Sequence, residues 1–337
     1  MPPISVLDLS PVAAGSTEAQ ALRETIELAT DAERLGYTRY WLAEHHGGEM
    51  VASSSPELMI GAVAAATERI RVGSGGVMLP NHSALRVAEQ FKVLAALHPE
   101  RVDLGIGRAP GTDQMTALAL RRSREAMAAD DFPAQLGELL AFAGEKDWPD
   151  GHPFSHVRAA PVEVPLPPIY LLGSSEYSAQ LAASAGLGFA FAAHINPELA
   201  VDALRLYRER FAPSERADEP YAILAHAVLC ADTDERAWEL AAPSRVAFRR
   251  LRAGRPTPLP TVDDALMEEG PGVRRGPGRS ERMIVGAPST VRERAGELLT
   301  LSGADELMTM TNVHDLADRR RSLELVAEAF HLAPTAV

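Results

Sequence analysis

At 337 residues, 46% of them hydrophobic and 23% charged, the chain has the make-up of a folded globular protein rather than a disordered one. Its 46 acidic against 33 basic residues leave a net charge of −13, which argues against nonspecific binding to nucleic acid, and its one cysteine, Cys230, excludes an internal disulfide framework. No run of about 18 apolar residues offers a membrane span, and the first residues lack the basic and apolar stretches of a signal peptide, so a cytoplasmic protein is expected.

Short β-rich apolar runs alternate with longer segments of helical period. Strands are expected over 4–8, 38–43, 70–78, 101–107, 168–172, 188–194, 221–231 and 305–311, and helices over 17–35, 56–68, 84–97, 130–143, 175–185, 197–211, 233–251 and 314–331. Ser55-Pro56-Glu57 and Asn196-Pro197-Glu198 each set a capping residue before a proline at a helix start. Eight βα pairs imply a (β/α)8 TIM barrel occupying residues 1–337 as one domain, with its site at the C-terminal ends of the strands. The rim so defined takes in His45, the end of the third strand, Arg108, Ser174, His194 and Asn312. Two stretches break the rhythm. Residues 145–167, with Trp148 and five prolines, read as an excursion. Residues 252–283, with Pro256, Pro258, Pro260 and Gly270-Pro271-Gly272, read as a long loop, either a mobile lid over the rim or a plain connector.

Four motifs carry candidate chemistry. Tyr40-Trp41-Leu42-Ala43-Glu44-His45-His46 ends an apolar run in a carboxylate and two imidazoles. Strand side chains alternate, so only one of the two histidines points into a given site. That geometry favours a proton-transfer or anion-holding imidazole, with a half-buried core histidine as the plain alternative. Gly73-Ser74-Gly75-Gly76 sets four small residues in one barrel strand, a flat wall for a planar ligand or simply a bulge or tight barrel corner. Leu104-Gly105-Ile106-Gly107-Arg108-Ala109-Pro110-Gly111 mimics a dinucleotide fingerprint, but Pro110 replaces the third glycine and no helix is expected there; Arg108 is better placed to bind phosphate or carboxylate, or to form a surface salt bridge. Gly173-Ser174-Ser175 with Ser178 leads a strand straight into a helix, whose first turn can hold a phosphate or be an ordinary serine N-cap. The rim histidines His82, His194 and His314 lack the spacing of a metal site, and none is expected.

Taken in order, Ala43-Glu44-His45-His46, Gly73 to Pro80, Leu104 to Arg108, Gly173-Ser174-Ser175 with Ser178, and Gly303 to Met308 resemble the bacterial luciferase-like flavin monooxygenases over almost the whole chain. The resemblance implies a TIM barrel that binds reduced FMN, reacts it with oxygen to a C4a-peroxyflavin and oxygenates a small organic substrate. It further implies that His45 is essential to the chemistry, that Arg108, Gly173, Ser174, Ser175 and Ser178 surround the flavin phosphate, and that the Gly75-Gly76 peptide is cis beneath the flavin ring. Luciferase itself has a reactive cysteine where this chain has Gly107, which points to a reshaped pocket and to stand-alone members, some of which tailor aromatic polyketides. Partners implied are a separate NAD(P)H:flavin reductase supplying FMNH2, oxygen, and a second copy packed through the Ala-rich helix Leu58 to Ala66. The rival readings are an F420-dependent hydride-transferring oxidoreductase on the same barrel, a flavin-binding protein without turnover, and a metal hydrolase.

Overall fold

The computed structural model describes residues 2–124, 131–270 and 282–334. Side-chain alternation builds its wall. In β1 (Ile4–Asp8), Ile4 and Val6 join the large core beneath the helices, whereas Leu7 joins a smaller cluster inside the barrel with Trp41, Tyr170, Ile223 and Met308. The remaining strands are β2 (Arg39–Leu42), β3 (Arg71–Ser74) with its short extension β4 (Val77–Met78), β5 (Val102–Gly107), β6 (Ile169–Gly173), β7 (Gly188–Ala192), β8 (Ala222–Cys230), β9 (Met283–Gly286) and β10 (Glu306–Met310). All pair in parallel in the order β1, β2, β3, β5, β6, β7, β8, and β10 closes the circle by pairing with both β8 and β1. This is a (β/α)8 barrel.

Around it lie α1 (Glu18–Leu35), α2 (Pro56–Ala66), α3 (Ala84–Leu97), α4 (Gln114–Arg121), α5 (Phe132–Ala143), α6 (Glu176–Ser184), α7 (Ala200–Arg210), α8 (Asp234–Leu240), α9 (Ala242–Arg252), α10 (Val262–Glu269), α11 (Pro288–Ser302) and α12 (Leu316–Ala329). Among the described residues no helix is long and apolar enough to cross a membrane. The eight expected barrel strands are all present within a few residues of their predicted limits.

The departures have local causes. The helix expected over 233–251 breaks into α8 and α9 at Ala241, because Pro243 cannot supply the N–H that a continuous helix needs. Residues 284–304 were expected to hold no element, yet they contain most of β9 and all of α11, which starts on Pro288; β9 pairs with Ala227–Cys230, the part of β8 beyond its pairing with β7. A short helix, α4, does open after the glycine-rich end of β5, capped by the Asp113 carboxylate, which accepts from the N–H groups of Met115 and Thr116.

The long loop expected over 252–283 needs a larger correction, although residues 271–281 of it lie outside the described residues. Thr261 caps α10 by accepting from Asp264 N, and acidic residues fill its first turn. Arg245 holds Glu269 through two bonds of 2.8 and 2.7 Å, and Leu259 is bound to the backbone of Val12 and Ala14, just past β1. The described part is therefore a docked segment over the rim. Residues 145–167 contain no helix or strand; Trp148 stacks on His152 and meets Phe142 edge-on, and Lys92 ties the stretch down by donating to the carbonyls of Ala143 and Ala159.

The floor of the barrel is ionic. Arg39, at the start of β2, donates Nε to both oxygens of Glu306 (2.9 and 3.0 Å) and Nη1 to Asp103 (2.8 Å) and to the Tyr170 hydroxyl (3.2 Å). Arg71 and the Trp41 indole complete the shell of Asp103, and Tyr221 donates to Glu306. Burial opposes the charge on Arg39, but the two carboxylates more than offset it and raise its pKa. Arg39→Met should destabilise the fold by about 3–5 kcal/mol, because it leaves Glu306 buried without its cation and Asp103 with Arg71 alone. Urea denaturation monitored by circular dichroism checks this.

Candidate active site

The alternation that buries Trp41 and Ala43 inside the barrel carries on past β2 and turns His45 inward at the rim. Its backbone N–H donates to Ser53 O at 2.8 Å. Burial lowers its pKa, Glu44 pulls it up and His46 pushes it down, leaving a net depression, so the imidazole is neutral at pH 7. Two buried polar atoms here, His45 Nδ1 and Ser53 Oγ, have no hydrogen-bond partner in the protein. Buried unsatisfied atoms are rare in folded proteins and mark places where a ligand can supply the partner.

Beside β2, the Gly75–Gly76 peptide is cis. The glycine run does not owe its small size to a ligand alone. A Cβ at Gly75 would lie 2.5 Å from Leu7 Cδ1, one at Gly76 2.7 Å from Gly105 O, and one at Gly73 2.7 Å from Trp41 Nε1 and from Asp103 Cβ. Interior packing therefore requires these glycines, and the one-residue shift in pairing with β5 across them, from Val72–Val102 to Val77–Ile106, matches the bulge that was the alternative to a flat ligand wall. At Gly107, a Cβ would stand 2.7 Å from Met78 Sδ, so the Met78 thioether fills the space beside that position.

Arg108 follows β5, exposed, with its guanidinium 4.7 Å above the Tyr177 ring at the first turn of α6. This brings Arg108 to the β6–α6 junction, where β5 and β6 already pair Gly107 with Leu172. At that junction Ser175 and Ser178 form a reciprocal capping box. Ser178 N donates to Ser175 Oγ and Ser175 N to Ser178 Oγ, both at 3.4 Å, and Ser178 Oγ also donates to Ser175 O at 2.7 Å. The absent side chain of Gly173 makes room for Ser178, since a Cβ there would meet Ser178 Oγ at 2.0 Å. The first-turn N–H groups of Glu176 and Tyr177 lie where no helical carbonyl can reach them, and Ser174 directly precedes the cap.

The sequence-predicted residues thus lie on four successive strand ends, β2 (His45), β3–β4 (Gly75, Gly76), β5 (Arg108) and β6 (Gly173, Ser174, Ser175, Ser178). Three interstrand steps of about 4.8 Å set the first and last of these strands roughly 14 Å apart across the wall. That span suits a ligand with a planar ring at one end and an anionic group at the other.

Of the other rim residues, His194 donates Nδ1 to Ala225 O (3.3 Å), and its pKa is pushed down to about 4, chiefly by burial and further by His226 and His45. His314 is tied to Ala14 O and Asp315, and the Asn312 carbonyl accepts from Ser244. His82 turns toward Glu44, a contact the sequence reading missed; no local spacing encodes it. Cys230 is buried, its thiol pushed up to about 12 by burial.

Comparison with known proteins agrees with this architecture. The luciferase-like monooxygenase family model matches residues 3–306. A luciferase-like monooxygenase of Escherichia coli (strain K12) is 42% identical over 96% of both chains, and the N-acetyl-S-alkylcysteine monooxygenase of Bacillus subtilis (strain 168) is 42% identical over 69% of both. The solved structure of apo-MsnO8 is 40% identical with a TM-score of 0.91, covering 99% of this chain and 100% of that one. The chain therefore belongs to the luciferase-like monooxygenase family and is an enzyme of that family. The same fold, at lower identity, occurs in an FMN complex of the oxygenating constituent of 3,6-diketocamphane monooxygenase from Pseudomonas putida (21%, TM-score 0.72, 100% of this chain and 99% of that one). It also occurs in the coenzyme F420-dependent tetrahydromethanopterin reductase of Methanopyrus kandleri (15%, TM-score 0.67, 98% and 99%).

His194 is neutral in the folded state and ionises near 6.5 once unfolded, so its contribution to stability is present above that pH and lost as pH falls toward about 4. His194→Gln should flatten that limb of the stability curve, which urea titrations across the acid range will show.

Proposed function

We propose that the protein is a two-component monooxygenase that receives reduced FMN from a separate NAD(P)H:flavin reductase and transfers one oxygen atom of O2 to a small organic substrate. The observation that carries this reading is the run of four adjacent strand ends, with a neutral, unpartnered imidazole at one end and an arginine beside a serine-capped helix N-terminus at the other. Reduced FMN, when bound, supplies the electrons that activate oxygen. The residues present fit such a group. Arg108, Ser174 and the first-turn N–H groups of α6 would hold its phosphate, and the Gly75–Gly76 backbone would face its ring.

His45 holds or gives the proton at the reacting end, and its depressed pKa keeps it neutral over the physiological range. The segment from Leu259 through α10, docked on the residues after β1, keeps water from that end of the rim. Aromatic polyketides and N-acetyl-S-alkylcysteine thioethers are the substrate classes to assay first; the second is supported by the 42%-identical relative named for that chemistry. Leu58 of α2 and Val93 and Leu97 of α3 stand exposed on two helices that pack together, and we assign this face to a homodimer.

His45→Ala should lower product formed per reduced FMN by about 100-fold or more while changing FMN affinity little. Unchanged coupling would remove His45 from the chemistry. Substrate-dependent oxygen uptake, measured with an oxygen electrode, tests the reaction itself; binding of F420 in preference to FMN, without oxygen uptake, would replace it with hydride transfer. Leu58→Asp with Leu97→Asp should yield a monomer by light scattering.

A further inference from the structure

Glu44, one residue before His45, is 1% exposed, yet its carboxylate gathers three donors, one from its own strand end and two from the segment Met78–His82. His46 Nε2 approaches at 2.8 Å, His82 Nε2 at 2.9 and 3.1 Å to the two oxygens, and the backbone N–H of Met78 donates at 2.8 Å. A carboxylate only accepts, so both imidazoles carry their proton on Nε2. Two residues back, Leu42 O accepts from Gly75 N at 2.8 Å. The end of β2 therefore grips both ends of the segment Gly75–Met78, once through its backbone and once through the Glu44 carboxylate. His45 emerges from the same two-residue span on the other face. The β5 loop is laid over the knot, with His46 N donating to Gly111 O and Thr112 Oγ1 to His46 O.

We propose that Glu44 is a positioning residue of the site, binding the Gly75–Met78 backbone and His45 into one rigid unit so that the glycine floor and the imidazole keep a fixed relation. The inference rests on the reading of these strand ends as a flavin site. Glu44 touches neither substrate nor flavin in this scheme and acts through what it holds.

The charge state of the knot follows from its neighbours. Burial raises the Glu44 pKa, but His82, His46 and Met78 N lower it below the usual carboxylate value overall. Burial lowers the His82 pKa, but Glu44 and Glu57 of α2 raise it above the usual imidazole value overall. On its far side His82 lines a cavity of about 380 Å³ shared with Asp131 and Glu138 of α5. His46 and His45 are the other titratable groups at the knot. The charge-assisted bond from His82 is thus present at low pH and weakens as pH rises through the raised His82 pKa.

The test is FMN titration by flavin fluorescence quenching for the wild type, Glu44→Gln and His82→Gln, below and above the His82 midpoint, alongside thermal unfolding of each protein and an NMR titration of the imidazoles. Glu44→Gln should weaken FMN binding by about tenfold or more. Both variants should abolish the part of the pH dependence that follows His82, and Glu44→Gln should return His82 toward an ordinary midpoint. The proposal is overturned if Glu44→Gln binds FMN as tightly as the wild type with the same pH dependence, or if only its melting temperature falls. Should Glu44→Gln not fold, His82→Gln decides by the same pH criterion. If the wild type binds no FMN, the flavin reading fails, whereas an unmoved His82 titration in Glu44→Gln overturns the positioning role on its own.

Discussion

One arginine at the barrel floor sets the frame on which the rest of the structure depends. Arg39 sits on β2 and reaches across β1 to Glu306 on β10 and across β3 to Asp103 on β5, so a single guanidinium pins strands on both sides of its own. β10 is the strand that closes the circle, and its first residue is the carboxylate that Arg39 holds. An ion cluster of this kind gains little net free energy over a well-packed apolar floor, but its fixed geometry penalises any register in which the charges fail to meet. The parallel register carries that order toward the rim with one shift of a residue between β3 and β4, where the pairing against β5 moves from Val72–Val102 to Val77–Ile106. His45, the Gly75–Gly76 peptide, Arg108 and Ser174 inherit their spacing from it.

The rim is built by subtraction as much as by placement. Glycines at 73, 75, 76 and 105 let β2, β3 and β5 approach until backbone and core side chains take the room a Cβ would need. The same removal of side chains leaves bare peptide at the top of the wall, with Gly75 half-buried and Gly76 buried. Position 107 follows the same rule, with Met78 occupying its vacant side. A thioether there is soft and adaptable, and it lines the rim with an apolar surface where a thiol would have been reactive.

The βα rhythm, and with it the barrel, was legible because each barrel strand is short, apolar and flanked by turn residues. Elements whose signal is only four residues long, such as Met283–Gly286, or whose helix starts on a bare Ala287-Pro288, fall below what periodicity can resolve. The docked segment around Leu259 misled because three prolines at 256, 258 and 260 read as loop, while the Thr261 cap with Asp263 and Asp264 behind it was a legible helix start that proline content overshadowed. In the site, His45, Arg108 and the Gly173–Ser178 junction stood out by lying at strand ends. Glu44 with His82 did not, since the two are 38 residues apart and meet only through the fold. At Gly173 the fold adds a packing reason that the sequence does not display, since a side chain there would collide with Ser178.

The serine pair that caps α6 has a kinetic meaning. With Ser175 and Ser178 turned toward each other, the helix end already satisfies part of its own demand for acceptors. An anion arriving there exchanges hydrogen bonds instead of adding to them, so the free energy of capture is a difference between two nearly equal sets and stays modest. Under the proposed reading, a modest free energy of capture would favour short residence of an occupant at this helix end.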